Sequence, residues 1–180
     1  GLEKVPMNQR SPLTLTTKGV GEMIGHLVDL GVEEIMIGVG GSSTNDGGLG
    51  MAAGLGYRFF DKIGHEVEAV GKHLGDITMV SYESCRWDLS QTKVTVITDV
   101  TNPLCGPNGA TYIFGGQKGL AKDDFASVDK DMERFYQTFF PAVLDLAGAG
   151  AGGGMAAGLA AFAGGQIISG IDAVLDMLDF

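Results

Sequence analysis

Apolar residues fall into two periods along this chain, and the change from one to the other marks its elements. Val20, Ile24, Leu27 and Val28 share one face at helical spacing, with Thr16 or Thr17 placed to cap the start and Gly31 to stop the end. The run Ile35-Met36-Ile37, continued by Val39, then predicts a buried strand. A helix joined by a short turn to a buried strand is half of an α/β unit. Tyr57 to Phe60 predicts a second short strand, Asp61 to Gly64 a turn, and His65-Glu66-Val67 a returning hairpin arm. Residues 70–92 carry no clear period. Lys93 to Thr98 is the next strand, and Thr111 to Phe114 reads as a helical turn. Phe125, Val128, Met132, Phe135 and Phe139 predict a long amphipathic helix from near Lys122, which Pro141 ends or bends. Asp123 and Asp124 sit in its first turn, where the helix dipole favours acids. Its aromatic stripe is read as core. A small-residue helix (Met155 to Phe162), a short strand (Gln166 to Ile168) and a last helix from Ile171 to Leu178 complete the chain. The fold class this predicts is α/β, three-layer, with a mostly parallel sheet flanked by helices and a short hairpin excursion.

The polar interruptions carry the chemistry. After the first strand come Gly40-Gly41, then Ser42-Ser43-Thr44-Asn45-Asp46, then Gly47-Gly48 before a helix of small and apolar residues. Glycines there let backbone N–H groups approach an anion, and a following helix start favours negative charge. The competing reading is a tight strand-to-helix turn with a polar cap. A second loop, Asn102 to Ala110, follows Asp99 at the end of the strand 93–98. A third, Gly115 to Gly119, holds Lys118. Residues 147–154, AGAGAGGG, contain G-x-G-x-x-G as Gly148, Gly150 and Gly153. What precedes them reads as helix, and no acidic ribose partner follows at the expected distance, so a nicotinamide-dependent oxidoreductase has little support. The loop, Gly150 and Gly152 included, still offers backbone donors to an anion.

Composition sharpens this reading. Of 180 residues, 44% are hydrophobic and 19% charged, which suits one globular domain with a substantial core. The 30 glycines are clustered and not periodic, so they mark tight loops and close backbone approach. A formal net charge of −10 argues against nucleic acid and anionic membrane as partners. It also means that an anionic ligand needs local cations, from a metal or from particular Lys and Arg side chains. Cys85 and Cys105 have no metal spacing and read as thiols in a reducing cytoplasm. His26, His65 and His73 lack a Cys or His at zinc spacing. No signal peptide and no membrane-spanning run is read.

If the strands after Ile35 and Lys93 are parallel, Asp46 and Asp99 emerge at the same carboxyl edge, where open α/β sheets bind ligands. Two acids and a set of hydroxyls there could hold a polyol or hydroxy acid, bind magnesium, or deprotonate a hydroxyl. Lys118 is the obvious cation for a phosphate or carboxylate. Against these stand plainer roles: Asp46 as a helix cap, Asp99 as a turn residue before Pro103, and Lys118 as a solvated loop lysine.

GVGGSSTNDGGLGM, DVTNPLCGPNGAT, FGGQKG and GAGAGGGMAAGLAAF, in that order, resemble the bacterial glycerate kinases. The segment SPLTLTTKGVGEMIG, residues 11–25, is similar to the one leading into the family's first motif. Gly116 replaces the proline of the family's Phe-Gly-Pro-Gln-Lys-Gly. The resemblance covers the family's middle portion, which implies that residues 1–180 are a single α/β domain of a longer, two-domain kinase. It implies transfer of the γ-phosphoryl of ATP, with Mg2+, to a hydroxyl of D-glycerate. Gly41, Ser42, Ser43, Thr44, Asn45, Asn102, Gly150 and Gly152 are then expected to hold substrate or phosphate oxygens. Lys118 is expected to neutralise charge, and Asp46 or Asp99 to accept the hydroxyl proton or hold the metal. The alternative is a small-anion-binding domain without turnover. The expectation common to both is that the turns around Asn45, Asn102 and Lys118 meet in one cleft.

Overall fold

Helix α1 (Lys18–Asp29) forms where the apolar stripe places it and stops where glycine permits. Gly31 takes φ of 75°, and the N–H groups of Gly31 and Val32 reach back to the carbonyls of Val28 and Leu27 at 2.9 and 3.1 Å. That left-handed residue satisfies carbonyls the helix end leaves open. The structure, a computed structural model, describes residues 1–177.

Three strands form the parallel sheet: β1 (Glu34–Gly38), β5 (Lys93–Ile97) and β6 (Gln166–Ile168), in the order β1-β5-β6. Ile35 pairs with Val94, Ile37 with Val96, and Val96 with Ile167. This register puts one apolar set on one face. Ile35, Val94 and Val96 join the core with Ile24 of α1, Leu49, Met51 and Ala52 of α2 (Leu49–Gly54), and Met155, Leu159 and Phe162 of α5 (Ala151–Ala163). The opposite face carries Met36, Thr95 and Ile168, with Ala173 of α6 (Gly170–Met177) beside them. The three-layer α/β class expected from the sequence is the one observed.

Strands β2 (Arg58–Phe60), β3 (Glu66–Val67) and β4 (Met79–Ser81) make a second, antiparallel sheet in the order β3-β2-β4. The excursion is therefore three-stranded, with β4 inside the stretch that shows no period. Phe59, 1% exposed, meets Phe135 and Phe162 edge-on, which fastens this sheet to α5 and to α4 (Phe125–Phe139). A 3-10 turn (Lys122–Asp124) leads into α4, and Pro141 follows its end. The first turn of α5 is irregular: Gly152, Gly153 and Gly154 all have positive φ, so regular helix begins at Met155. The last helix was expected to reach Leu178, which lies outside the described residues. Among those residues no helix is long and apolar enough to cross a membrane.

Candidate anion site at the carboxyl edge of the parallel sheet

β1 and β5 run parallel, so the loops after Gly38 and Ile97 leave the same edge. A third loop arrives from α3 (Ala110–Phe114) through the 3-10 turn Gly116–Lys118. It delivers Lys118, which is 2% exposed and not a solvated loop lysine. Lys118 Nζ donates to Ser42 Oγ at 2.8 Å and to the Thr44 carbonyl at 2.9 Å. Burial pushes its pKa down to about 8, and the nearby Asp46 carboxyl acts in the opposite sense. At neutral pH the amine is thus mainly charged, but held with little reserve.

Asp46 is wholly buried. Its carboxyl accepts from the N–H and Oγ1 of Thr17 at 3.0 and 2.7 Å, and from the N–H groups of Gly48 and Gly50 at 3.1 and 3.2 Å. Burial raises its pKa, and the four donors oppose that rise. The N-cap position of α2 falls to Gly48, and Asp46, two residues earlier, accepts from the first turn of that helix while tying it to the start of α1. Thr17 stands at the N-cap position of α1, but its hydroxyl spans to Asp46 and accepts from Met51 N–H at 2.9 Å. Asn45 is also fully buried; its Nδ2 donates to Thr111 Oγ1 at 3.1 Å. Asn45 Oδ1 and Thr44 Oγ1 are buried without a hydrogen-bond partner.

The glycine loop at the head of α5 closes the arrangement. Gly153 has φ of 70°, and a Cβ on it would lie 2.1 Å from the Thr44 carbonyl and 2.9 Å from Lys118 Nζ. Only glycine fits between those atoms. Its carbonyl accepts from Gly47 N–H at 3.0 Å. Gly150 N–H donates to the Asn102 carbonyl at 3.1 Å, and Asn102 Nδ2 to the Asn108 carbonyl at 2.8 Å. The turns around Asn45, Asn102 and Lys118 therefore meet on the glycine loop. A cavity of about 150 Å³ is lined by Gly40, Gly41, Ser42, Gln117, Lys118 and Gly152. It adjoins one of about 260 Å³ lined in part by Ser43, Thr44, Ser42 and Met155.

Asp99 stands apart from this group. It is exposed, and its Oδ1 accepts from Gly170 N–H at 3.1 Å at the start of α6, although its neighbour Val100 lines the smaller cavity. Among the described residues no three His, Cys, Asp or Glu side chains are grouped to hold a metal. Asp46, enclosed by four donors, does not suit a metal; Asp99 offers a single accessible carboxylate. Thr17, Thr111 and Tyr136 are parts of the site that sequence reasoning missed as such. Tyr136 carried the clearest signal, a hydroxyl-bearing ring four residues after Met132 on the inward stripe of α4.

Fold and site together define a class: an α/β protein whose strand-end loops enclose a small cavity with one lysine set in a partly apolar lining. Comparison with known proteins narrows it. The model of the glycerate kinase family matches residues 1–180. A glycerate kinase of Neisseria meningitidis is 49% identical over 181 residues, covering 100% of this chain and 48% of that protein. A glycerate 2-kinase of Escherichia coli is 40% identical over 183 residues, covering 99% and 48%. A crystal structure from Salmonella typhimurium, described provisionally as glycerate kinase 2, superposes with a TM-score of 0.93 at 44% identity, covering 99% of this chain and 49% of its own. This chain belongs to the glycerate kinase family. It spans about half the length of the relatives it matches.

Proposed function

We propose that the chain forms part of a kinase that transfers the γ-phosphoryl group of ATP to a hydroxyl of D-glycerate. The family supports the reaction class. The observation that carries the reading is Lys118, buried at the carboxyl edge between Ser42, Thr44 and the glycine loop. A protein with net charge −10 that binds two anionic substrates needs a local cation, and Lys118 is the candidate for it. Neither nucleic acid nor membrane enters the reading, and the cytoplasm, where ATP is supplied, is the location it proposes.

In this reading the substrate hydroxyl oxygen attacks the γ-phosphorus. The new O–P bond forms as the bond to the β,γ-bridging oxygen breaks, ADP leaves, and the hydroxyl proton passes to a carboxylate. Such transfer depends on positioning and charge neutralisation more than on covalent chemistry. Lys118, Ser42, Ser43 and Thr44, with the backbone of Gly41 and Gly152, hold carboxylate or phosphate oxygens; Gly150, expected among them, instead gives its N–H to the Asn102 carbonyl and lines neither cavity. Asn45 and Asn102 keep the loops in place. Asp99, an accessible carboxylate, is the residue that would help hold Mg2+ alongside nucleotide phosphates, and the ion would supply neutralisation of phosphate charge. Proton acceptance is the alternative role for the same carboxylate, which is the accessible one of the two, with Asp46 as scaffold.

The test is ADP release by the complete polypeptide with D-glycerate and Mg2+-ATP. Lys118→Met is expected to lower turnover about 10²-fold or more, the scale of lost electrostatic stabilisation at a reacting centre. Turnover unchanged by K118M would end the role given to Lys118, and no turnover in the unaltered polypeptide would end the kinase reading. A second reading, binding of a small anion without turnover, is favoured by the chain's spanning about half of its relatives. Calorimetry showing D-glycerate bound by residues 1–180 with no ADP formed would assign that role to the isolated chain.

A further inference from the structure

Helix α4 contributes no residue to either cavity, yet one of its polar side chains reaches the loop that carries Ser42 to Thr44 and another the loop that carries Asn102. Asp129, Met132 and Tyr136 recur at i, i+3 and i+7, which places them on one face. All three are buried. The Tyr136 hydroxyl donates to the Gly47 carbonyl. The Gly47 N–H, on the preceding peptide, donates to the Gly153 carbonyl at 3.0 Å. Gly47 is thus held through both of its flanking peptides, one to α4 and one to the glycine loop, beside the close approach of Gly153 to Thr44 and Lys118. At the opposite end of the same face, Asp129 Oδ2 accepts from Gly106 N–H at 2.9 Å, within the loop that carries Asn102. Leu104 of that loop is fully buried, and its Cδ1 would lie 3.0 Å from a Cβ on Gly154. Both arms end on residues 150–154.

We propose that Tyr136 and Asp129 are positioning residues, which hold the first and second loops in register on the glycine loop and so fix Lys118 at the cavity. The proposal rests on the kinase reading for its catalytic consequence, but its structural content does not. Tyr136 Oη is the donor that the structure gives the Gly47 carbonyl, and a buried acceptor that loses its donor drives local rearrangement. Displacement of a reacting group by about 1 Å can cost on the order of 10²-fold in rate.

The test uses the complete polypeptide with Y136F, D129A and D129N, and with F59L as a core variant that touches neither loop. Two readouts need no substrate: amide hydrogen exchange by mass spectrometry, and the rate at which Lys118 is acylated by an amine reagent at pH 8. Y136F is expected to speed exchange across 45–50 and 150–154, and acylation of Lys118, on the order of tenfold. D129A is expected to speed exchange across 102–110 and 150–154, and D129N, which keeps an acceptor for Gly106 N–H, to restore it. With substrate, Y136F and D129A are expected to lower kcat about tenfold while KM for ATP changes less than about twofold, the signature of lost alignment at the reacting centre. F59L is expected to lower the melting temperature without these local changes. Equal behaviour of Y136F and F59L, or no local change in Y136F, overturns the proposal. Should Y136F fail to fold, the contrast between D129A and D129N decides alone, and equal exchange in the two overturns it. Absence of D-glycerate turnover in the unaltered protein overturns the kinase reading instead, and leaves the exchange and acylation results to decide the positioning.

Discussion

A lysine that has lost its water has a charge that pH can remove. Lys118 Nζ is enclosed and its pKa stands near about 8, against an ordinary 10.5. If its charge binds an anionic substrate, kcat/KM is expected to fall as pH rises through about 8, because that ratio reports ionisations of the free enzyme. Lys118→Arg keeps its charge throughout, so the residual activity of K118R should lack this alkaline limb. A pH–rate profile showing the same limb in K118R would transfer it to another group. The shift also bears on stability. The folded pKa lies below the unfolded one, so the unfolded chain binds more protons between pH 8 and 10.5. Stability from this group therefore rises with pH across that window, by up to ~3 kcal/mol. The difference between unaltered and K118M unfolding curves should show that rise. Asp46 belongs to the same scale but to a different kind of effect. Asp46→Asn turns one acceptor into a donor among N–H and O–H donors, and urea unfolding is expected to show a loss of about 3 kcal/mol. Asp99→Asn should leave stability near its starting value and lower turnover about 10²-fold if this carboxylate is the base. A loss confined to magnesium affinity would move Asp99 to the metal role.

At the scale of elements, what was legible followed period, and what was hidden followed distance. α1, β1, β5 and α4 each repeat their apolar residues often enough to declare helix or strand. β4 spans only Met79–Ser81, each residue at least partly exposed, so no alternation develops. The candidate site was legible as loops and not as contacts. Its motifs named Ser42, Thr44 and Lys118, but the bonds joining them cross 76 and 74 residues. The partner that fixes the role of Asp46 is Thr17, 29 residues earlier. Nothing in the local pattern around Lys118 separates a buried lysine from a solvated one. The glycine loop shows how such contacts enforce sequence. Gly153→Ala would press a Cβ on the Thr44 carbonyl and on Lys118 Nζ while holding φ at 70°. We expect G153A to cost about 2–3 kcal/mol or more through strain of this kind. The cost should fall on turnover more steeply than on the melting temperature, because the displaced atoms are those of the cavity.

At the scale of the whole molecule, the question is whether the two sheets behave as one cooperative unit. Their junction is a cluster of rings. Phe162 of α5 meets Phe140, Tyr57 and Phe59 at centroid distances of 4.7, 5.0 and 6.1 Å, and Phe59 meets Phe135 of α4 at 6.3 Å. Removing the Phe162 ring therefore weakens both sheets' anchorage at once. Phe162→Ala is expected to cost about 3–5 kcal/mol, the usual range for a buried ring replaced by a cavity. For a chain of this size that lowers the melting temperature by on the order of 10 °C. The protein's single tryptophan supplies a remote reporter. Trp87 lies on α1, where a Cβ on Gly25 would come within 2.6 Å of its ring, and its Nε1 donates to Asp29 at 2.9 Å. It has no ring contact with the Phe162 cluster among the described residues. If residues 1–180 fold as a single domain, tryptophan fluorescence and far-ultraviolet circular dichroism will move together in F162A, through one transition at the lowered temperature. If the antiparallel sheet is a separate unit, Trp87 will keep its original midpoint while the dichroism splits in two. The first outcome makes the aromatic junction the structural base on which the loops at the carboxyl edge depend; the second confines that dependence to the parallel sheet and its helices.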